Sequence, residues 1–91
     1  MKKQSKSLYY TLENIGIWLS ELRAAKGYDT IKEFAIDHDL PLIHYWRIEK
    51  GKANLTIKTL LGLLSIHKLS LEDFFCALKN NASKKQNARK K

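Results

Sequence analysis

The chain has 91 residues, with 17 Lys and Arg against nine Asp and Glu, a formal net charge of +8 and one cysteine. That length supports one domain around one modest core. A 44% hydrophobic content and a negative mean hydropathy argue for a globular chain and against a disordered or membrane-embedded one.

The longest apolar run, Leu60-Leu61-Gly62-Leu63-Leu64, is far too short to cross a bilayer. No apolar stretch or small-residue cleavage site follows the basic segment Met1–Ser7, so no signal peptide is expected. A lone cysteine cannot close an internal disulfide, which favours a reducing compartment. The expected location is cytoplasmic.

Residues 1–11 read as a basic N-terminal arm. Leu12, Ile15, Leu19 and Leu22, with Trp18 alongside, recur at spacings of three and four and predict a first helix that stops near Gly27. Ile31, Phe34, Ala35 and His38 predict a second, capped by Asp29 or Thr30. Pro41 marks the start of a third, with Tyr45 and Ile48 facing inward and Gly51 ending it. Thr56 caps a fourth with Ile57, Leu60, Leu61 and Leu64 as its stripe. Ser70 caps a fifth, with Asp73 in a position resembling a capping box and Leu71, Phe74, Phe75 and Leu78 as apolar positions. No alternating run exceeds three or four residues, so no strand is predicted. The expectation is an all-α, compact five-helix domain over residues 12–78. A basic tail, 79–91, expected to be disordered, follows it.

The charge is unevenly spread. Segments 1–7 and 79–91 hold nine of the 17 basic residues and no acid, whereas 8–78 carries eight basic and nine acidic residues. Within the domain, Arg47, Lys50, Lys52 and Lys58 bunch together with one acid, Glu49, among them. The tails have two readings, solubility or salt-dependent contact with phosphates. The cluster inside the domain points more directly to a polyanion.

Helices two and three, joined across His38-Asp39-Leu40-Pro41, form a helix-turn-helix pattern. Small Ala35 permits close crossing of the pair, and Asp39 can take the positive φ that such turns use. The run Trp46-Arg47-Ile48-Glu49-Lys50-Gly51-Lys52-Ala53-Asn54, with Thr59-Leu60 after it, resembles the phage-repressor and Cro family (XRE family) of helix-turn-helix domains. Ile15-Gly16, Leu19 to Gly27 and Ser70 to Phe75 look like that family's first and closing helices, so the resemblance covers roughly residues 12–76. The chain departs from the pattern at Asp39, where Gly is usual, and at Tyr45, where a branched aliphatic is usual. It also has Ile31 where a phosphate-touching Gln is common, and Pro41, Leu42 and Ile43 where polar residues usually read bases.

The resemblance implies a lambda-repressor-like fold and a transcriptional regulator, more a repressor than an activator, that binds double-stranded DNA. A recognition helix at about 42–49 would lie in the major groove. Leu42, Ile43, His44, Trp46 and Arg47 then become the candidates for base readout, with Arg47 suited to the O6 and N7 acceptors of guanine and Leu42 and Ile43 to thymine methyls. Lys50, Lys52, Asn54, Thr56 and Lys58 become candidates for phosphate contacts. A homodimer on paired half-sites is expected, with Tyr9, Tyr10, Phe75 and Leu78 as interface candidates.

Each residue also has a plainer reading. Arg47 can pair with Glu13 or Glu21; Trp46 can pack under the loop; Leu42 and Ile43 can be core or partner surface. Glu49 can accept from loop N–H groups or pair with a nearby cation. Cys76, beside Phe74 and Phe75, reads as a buried, inert thiol. His38, His44, His67 and Cys76 lack zinc-ligand spacing, and no glycine-rich phosphate loop is present. No enzymatic activity, cofactor or metal site is expected. Two alternatives stand beside DNA regulation. One is a protein-interaction module on the same fold, such as an antitoxin or adaptor. The other is non-specific nucleic-acid binding through the tails.

Overall fold

The first helix, α1 (Lys6–Ala25), begins six residues earlier than the apolar spacing predicts. The extra turns have no buried stripe to announce them, since residues 6–11 are all exposed; Thr11 instead donates its hydroxyl to the Ser7 carbonyl at 2.8 Å. The expected arm over 1–11 is therefore helical from Lys6 onward. These observations come from a computed structural model, which describes residues 6–78. The expected tail, 79–91, and residues 1–5 lie outside that range.

The chain is all-helical, with no strand among the described residues. After α1 come α2 (Ile31–Asp37), α3 (Leu42–Glu49) and α4 (Ile57–Ile66), followed by α5, residues 71–78. The described residues divide into two units, with the boundary between Leu55 and Thr56.

In the first unit, the inward stripe of α1 is Leu12, Ile15, Gly16 and Leu19. Leu22 and Trp18, predicted to share it, are only half-buried. Thr30, not Asp29, caps α2 by accepting the Glu33 N–H at 3.1 Å. Phe34 is fully buried at the centre of an aromatic group, with ring centroids 4.6 Å from His38 and 5.3 Å from both Tyr28 and Tyr45. Asp39 has φ 56°, as its place in the turn requires. Pro41 occupies the N-cap of α3 with extended ψ, so the turn from α2 to α3 spans His38–Pro41.

In the second unit, Thr56 caps α4 through the Thr59 N–H at 3.1 Å, and Ser70 caps α5 through the Asp73 N–H at 3.0 Å. Leu60, Leu63 and Leu64 are buried on α4. Ile57 and Leu61, placed on the stripe by spacing, are 59% and 46% exposed. In a helix this apolar the spacing admits two faces, and Leu63 takes the place expected of Leu61. Phe74 is buried, whereas Phe75 and Cys76 are exposed, so the thiol is not the buried one expected.

The first four helices end the same way. The residue two past each C-cap returns its N–H to the carbonyl five back: Tyr28 to Arg23, Leu40 to Ala35, Lys52 to Arg47 and Leu69 to Leu64. The residue between takes positive φ: Gly27, Asp39, Gly51 and Lys68. This Schellman closure satisfies carbonyls that a helix end otherwise leaves open, and it favours glycine. Lys68, at φ 58°, carries the side-chain strain that Gly27 and Gly51 avoid. Lys68→Gly is expected to stabilise the protein by about 1 kcal/mol and raise Tm by roughly 4–8 °C in thermal denaturation.

Candidate nucleic-acid interface

The outer face of α3 owes its character to what its inner face holds. Tyr45, Ile48 and Glu49 are buried, at 2%, 3% and 7% exposure. A buried carboxylate needs a cation and donors, and both are present. Arg23, in the last turn of α1, donates Nε to Glu49 Oε2 at 2.8 Å and Nη2 to Oε1 at 3.2 Å. Tyr45, one turn before Glu49, donates its hydroxyl to Oε2 at 2.5 Å. Arg23 Nη1 also donates to the Tyr28 carbonyl at 2.9 Å, which joins the loop after α1 to the same cluster.

The electrostatics are consistent with this geometry. The hydrogen bond to Glu49 outweighs desolvation and holds the Arg23 guanidinium above its ordinary pKa. Burial first, then the bond to Glu49, pushes the Tyr45 phenol far above its ordinary value, so it stays a donor. The plainer reading of Glu49 as a cation's partner is the right one, and the cation is Arg23. Sequence reading missed Arg23, yet it lies four residues after buried Leu19, where the stripe of α1 calls for an inward side chain.

Backbones also meet here. A Cβ on Gly16 would run into the carbonyl oxygen of Glu49 and come within 2.8 Å of that of Ile48. The backbones of α1 and α3 therefore meet closely at Gly16, and Ala35, where a close crossing of α2 and α3 was expected, is buried. Gly51 is hemmed in as well: a Cβ there would lie 2.9 Å from Glu13 Cα.

With α3 fixed in this way, Leu42, Ile43, His44, Trp46 and Arg47 all stand on its exposed side. Ile43 is 70% exposed, which excludes a core role for it. Trp46 lies on the surface with Lys50 Nζ 5.9 Å from its ring centroid, rather than under the loop. Arg47 pairs with neither Glu13 nor Glu21; its Nη2 donates to the Lys52 carbonyl at 3.1 Å. Leu42, His44, Arg47, Lys52 and Asn54 line an open groove of about 870 Å³ along one side of α3.

The charge of this face follows from Glu49. Between Leu40 and Leu71 it is the sole acid in the sequence, and it is buried against Arg23. The exposed surface of α3 and its following loop therefore carries Arg47, Lys50 and Lys52 and no acid of its own, although Lys50 also lines a pocket with Glu13 and Glu21 of α1.

The other predicted residues fall elsewhere. Thr56 and Lys58 open the second unit. The Thr56 hydroxyl is committed within its own helix, accepting from Thr59 N–H and donating to Thr59 Oγ1 at 3.0 Å. Tyr9 and Tyr10 are exposed on α1, with rings edge to face at 6.3 Å. Phe75 is exposed and Leu78 half-buried on α5. Among the described residues, no group of three or more His, Cys, Asp or Glu could hold a metal ion. None of the described helices is long and apolar enough to cross a membrane. Compared with protein-family models, with curated proteins and with solved structures, the chain matches none.

Arg23→Ala leaves the Glu49 carboxylate buried without its cation and is expected to cost about 3 kcal/mol in urea denaturation. The Tyr45 phenol gives a pH signature. Its pKa is raised on folding, so its contribution is complete below the unfolded value near pH 10 and is lost as pH rises above that. The stability advantage of wild type over Tyr45→Phe should shrink by about 1 kcal/mol between pH 8 and pH 11.

Proposed function

We propose that the protein is a sequence-specific double-stranded DNA-binding regulator acting as a repressor, with a lambda-repressor-like fold and α3 as its recognition helix. The observation that carries this reading is the outer face of α3: exposed along its length, cationic at its C-terminal end, and free of exposed acid. The resemblance of Trp46–Asn54 to the phage-repressor and Cro pattern supports it.

In this reading α3 enters the major groove and Arg47 meets guanine O6 and N7 in two-point fashion, worth about 1–3 kcal/mol of discrimination. His44 donates to a base acceptor or a phosphate. Leu42 and Ile43 pack on thymine methyl groups, the apolar contact that the major groove offers. Lys50, Lys52 and Asn54 take phosphates beside α3; in the second unit, the backbone N–H groups near Thr56 and the Lys58 ammonium are separate candidates for phosphate contact. Two copies paired through Tyr9, Tyr10, Phe75 and Leu78 would set two recognition helices about one turn of DNA apart.

A second reading, a protein-interaction module such as an antitoxin or adaptor, is favoured by one observation. The tip of α3 offers Leu42 and Ile43 to solvent where most base readers are polar.

Fluorescence anisotropy of the full chain, on duplex from upstream of its own gene and on shuffled duplex at physiological salt, separates the two readings. DNA regulation predicts selective binding, weakened roughly 5- to 150-fold by Arg47→Ala. Replacing thymine by uracil within the site should weaken it further. Lys52→Ala should lower the slope of log affinity against log salt by about one. Equal affinity for both duplexes, from a folded protein, would favour the protein-binding module.

A further inference from the structure

Beside the first groove, and sharing Leu42, Ile43 and Arg47 with it, lies a second open groove of about 450 Å³ lined by Ile31, Lys32, Leu42, Ile43, Trp46 and Arg47. Its floor is apolar and largely open to solvent: Leu42 is 37%, Trp46 41% and Ile43 70% exposed. Its walls are cationic, with Lys32 from α2 and Arg47 from α3, and Lys50 extends the positive edge beside the Trp46 ring. No acid lines it. Phosphates can satisfy the cations and thymine methyls can meet Leu42 and Ile43, but the apolar lining also includes Ile31 and Trp46. The occupant that matches both features is apolar on one side and acidic at its edges.

Neither terminal segment nor a two-fold pairing of this face with itself supplies that occupant. Residues 1–5 and 79–91 contain only basic ionisable side chains, so their charge repels them from this rim. A second copy docking through the same face would bring Lys32, Arg47 and Lys50 against one another, since a two-fold interface pairs a patch with itself. We infer that this groove takes an acidic amphipathic helix from another protein. Apolar residues at i, i+3 or i+4 and i+7 would lie over Leu42, Ile43 and Trp46, with flanking Asp or Glu meeting Lys32, Arg47 and Lys50. The inference rests on the groove and not on the DNA reading. Where both hold, helix and duplex compete for Leu42, Ile43 and Arg47, so the helix acts as an acidic antagonist of DNA binding.

The test is selection of displayed random peptides, about 16 residues long, on the immobilised full chain. The enriched peptides are then synthesised and titrated by anisotropy. The expected sequences converge on acidic amphipathic helices. Ile43→Asp, at an open surface position, should weaken them roughly tenfold or more, and Lys32→Glu by several-fold. Far-UV circular dichroism and melting confirm that each variant folds. Lys52→Ala, which lines the first groove and not the second, should leave peptide affinity unchanged. Peptides that fail to converge, that converge on basic sequences, or that bind Ile43→Asp as well as wild type would overturn the inference. Parallel titration of duplex DNA separates this outcome from the DNA reading, because Lys52→Ala weakens DNA alone and Lys32→Glu acts chiefly on the peptide.

Discussion

One buried carboxylate organises the first unit. Glu49 lies on the inner side of α3 and must be neutralised there, which commits Arg23 at the end of α1 and the hydroxyl of Tyr45 one turn earlier. Through Arg23 the same cluster reaches the Tyr28 carbonyl. The contact also fixes spacing, because α1 and α3 approach so closely at Gly16 that no side chain fits between them. An ion pair of this kind adds little net stability compared with a well-packed apolar pair. Its consequence is positional: α3 can sit against α1 in one register, and that register turns 42, 43, 46 and 47 outward together.

The second consequence is electrostatic. Because the sole acid between Leu40 and Leu71 is spent inside, the outer surface of α3 and its loop has Arg47, Lys50 and Lys52 with no acid of its own, the nearest shared pocket with acids being that of Lys50 with Glu13 and Glu21. The net charge of the chain says little about this, since 8–78 is close to neutral. Burial of one acid converts a nearly neutral domain into one with a cationic face. The face carries two grooves that share Leu42, Ile43 and Arg47, one of mixed lining toward Lys52 and Asn54 and a more apolar one toward Ile31 and Trp46. The first suits the proposed DNA contacts and the second the inferred acidic helix.

Much of this was legible in the sequence, for reasons that can be named. The caps at Thr56 and Ser70, the choice of Asp29 or Thr30 before α2, the flanking of α3 by Pro41 and Gly51 and the capacity of Asp39 for positive φ follow from local chemistry, which acts over a few residues and so shows in a single chain. Helix starts without a buried stripe do not show, and α1 ran unannounced from Lys6 through exposed Tyr9 and Tyr10. Nor does the choice between two apolar faces, which put Leu63 inside and Leu61 outside. The Arg23–Glu49 pair spans 26 residues, and nothing local links its partners. The exposed residues of the interface could be named in advance, but the groove formed by Ile31 with Trp46 could not. It exists only once α2 and α3 are packed.

The outer face of α3, whose one acid, Glu49, is buried against Arg23, is the surface proposed to meet DNA. The most direct measurement is backbone amide chemical-shift mapping of the full, isotope-labelled chain during titration with its upstream duplex. The largest changes are expected on residues 42–54, with α1 positions such as Ile17 and Glu21 undisturbed. Changes confined to residues 79–91, with 42–54 unmoved, would contradict it.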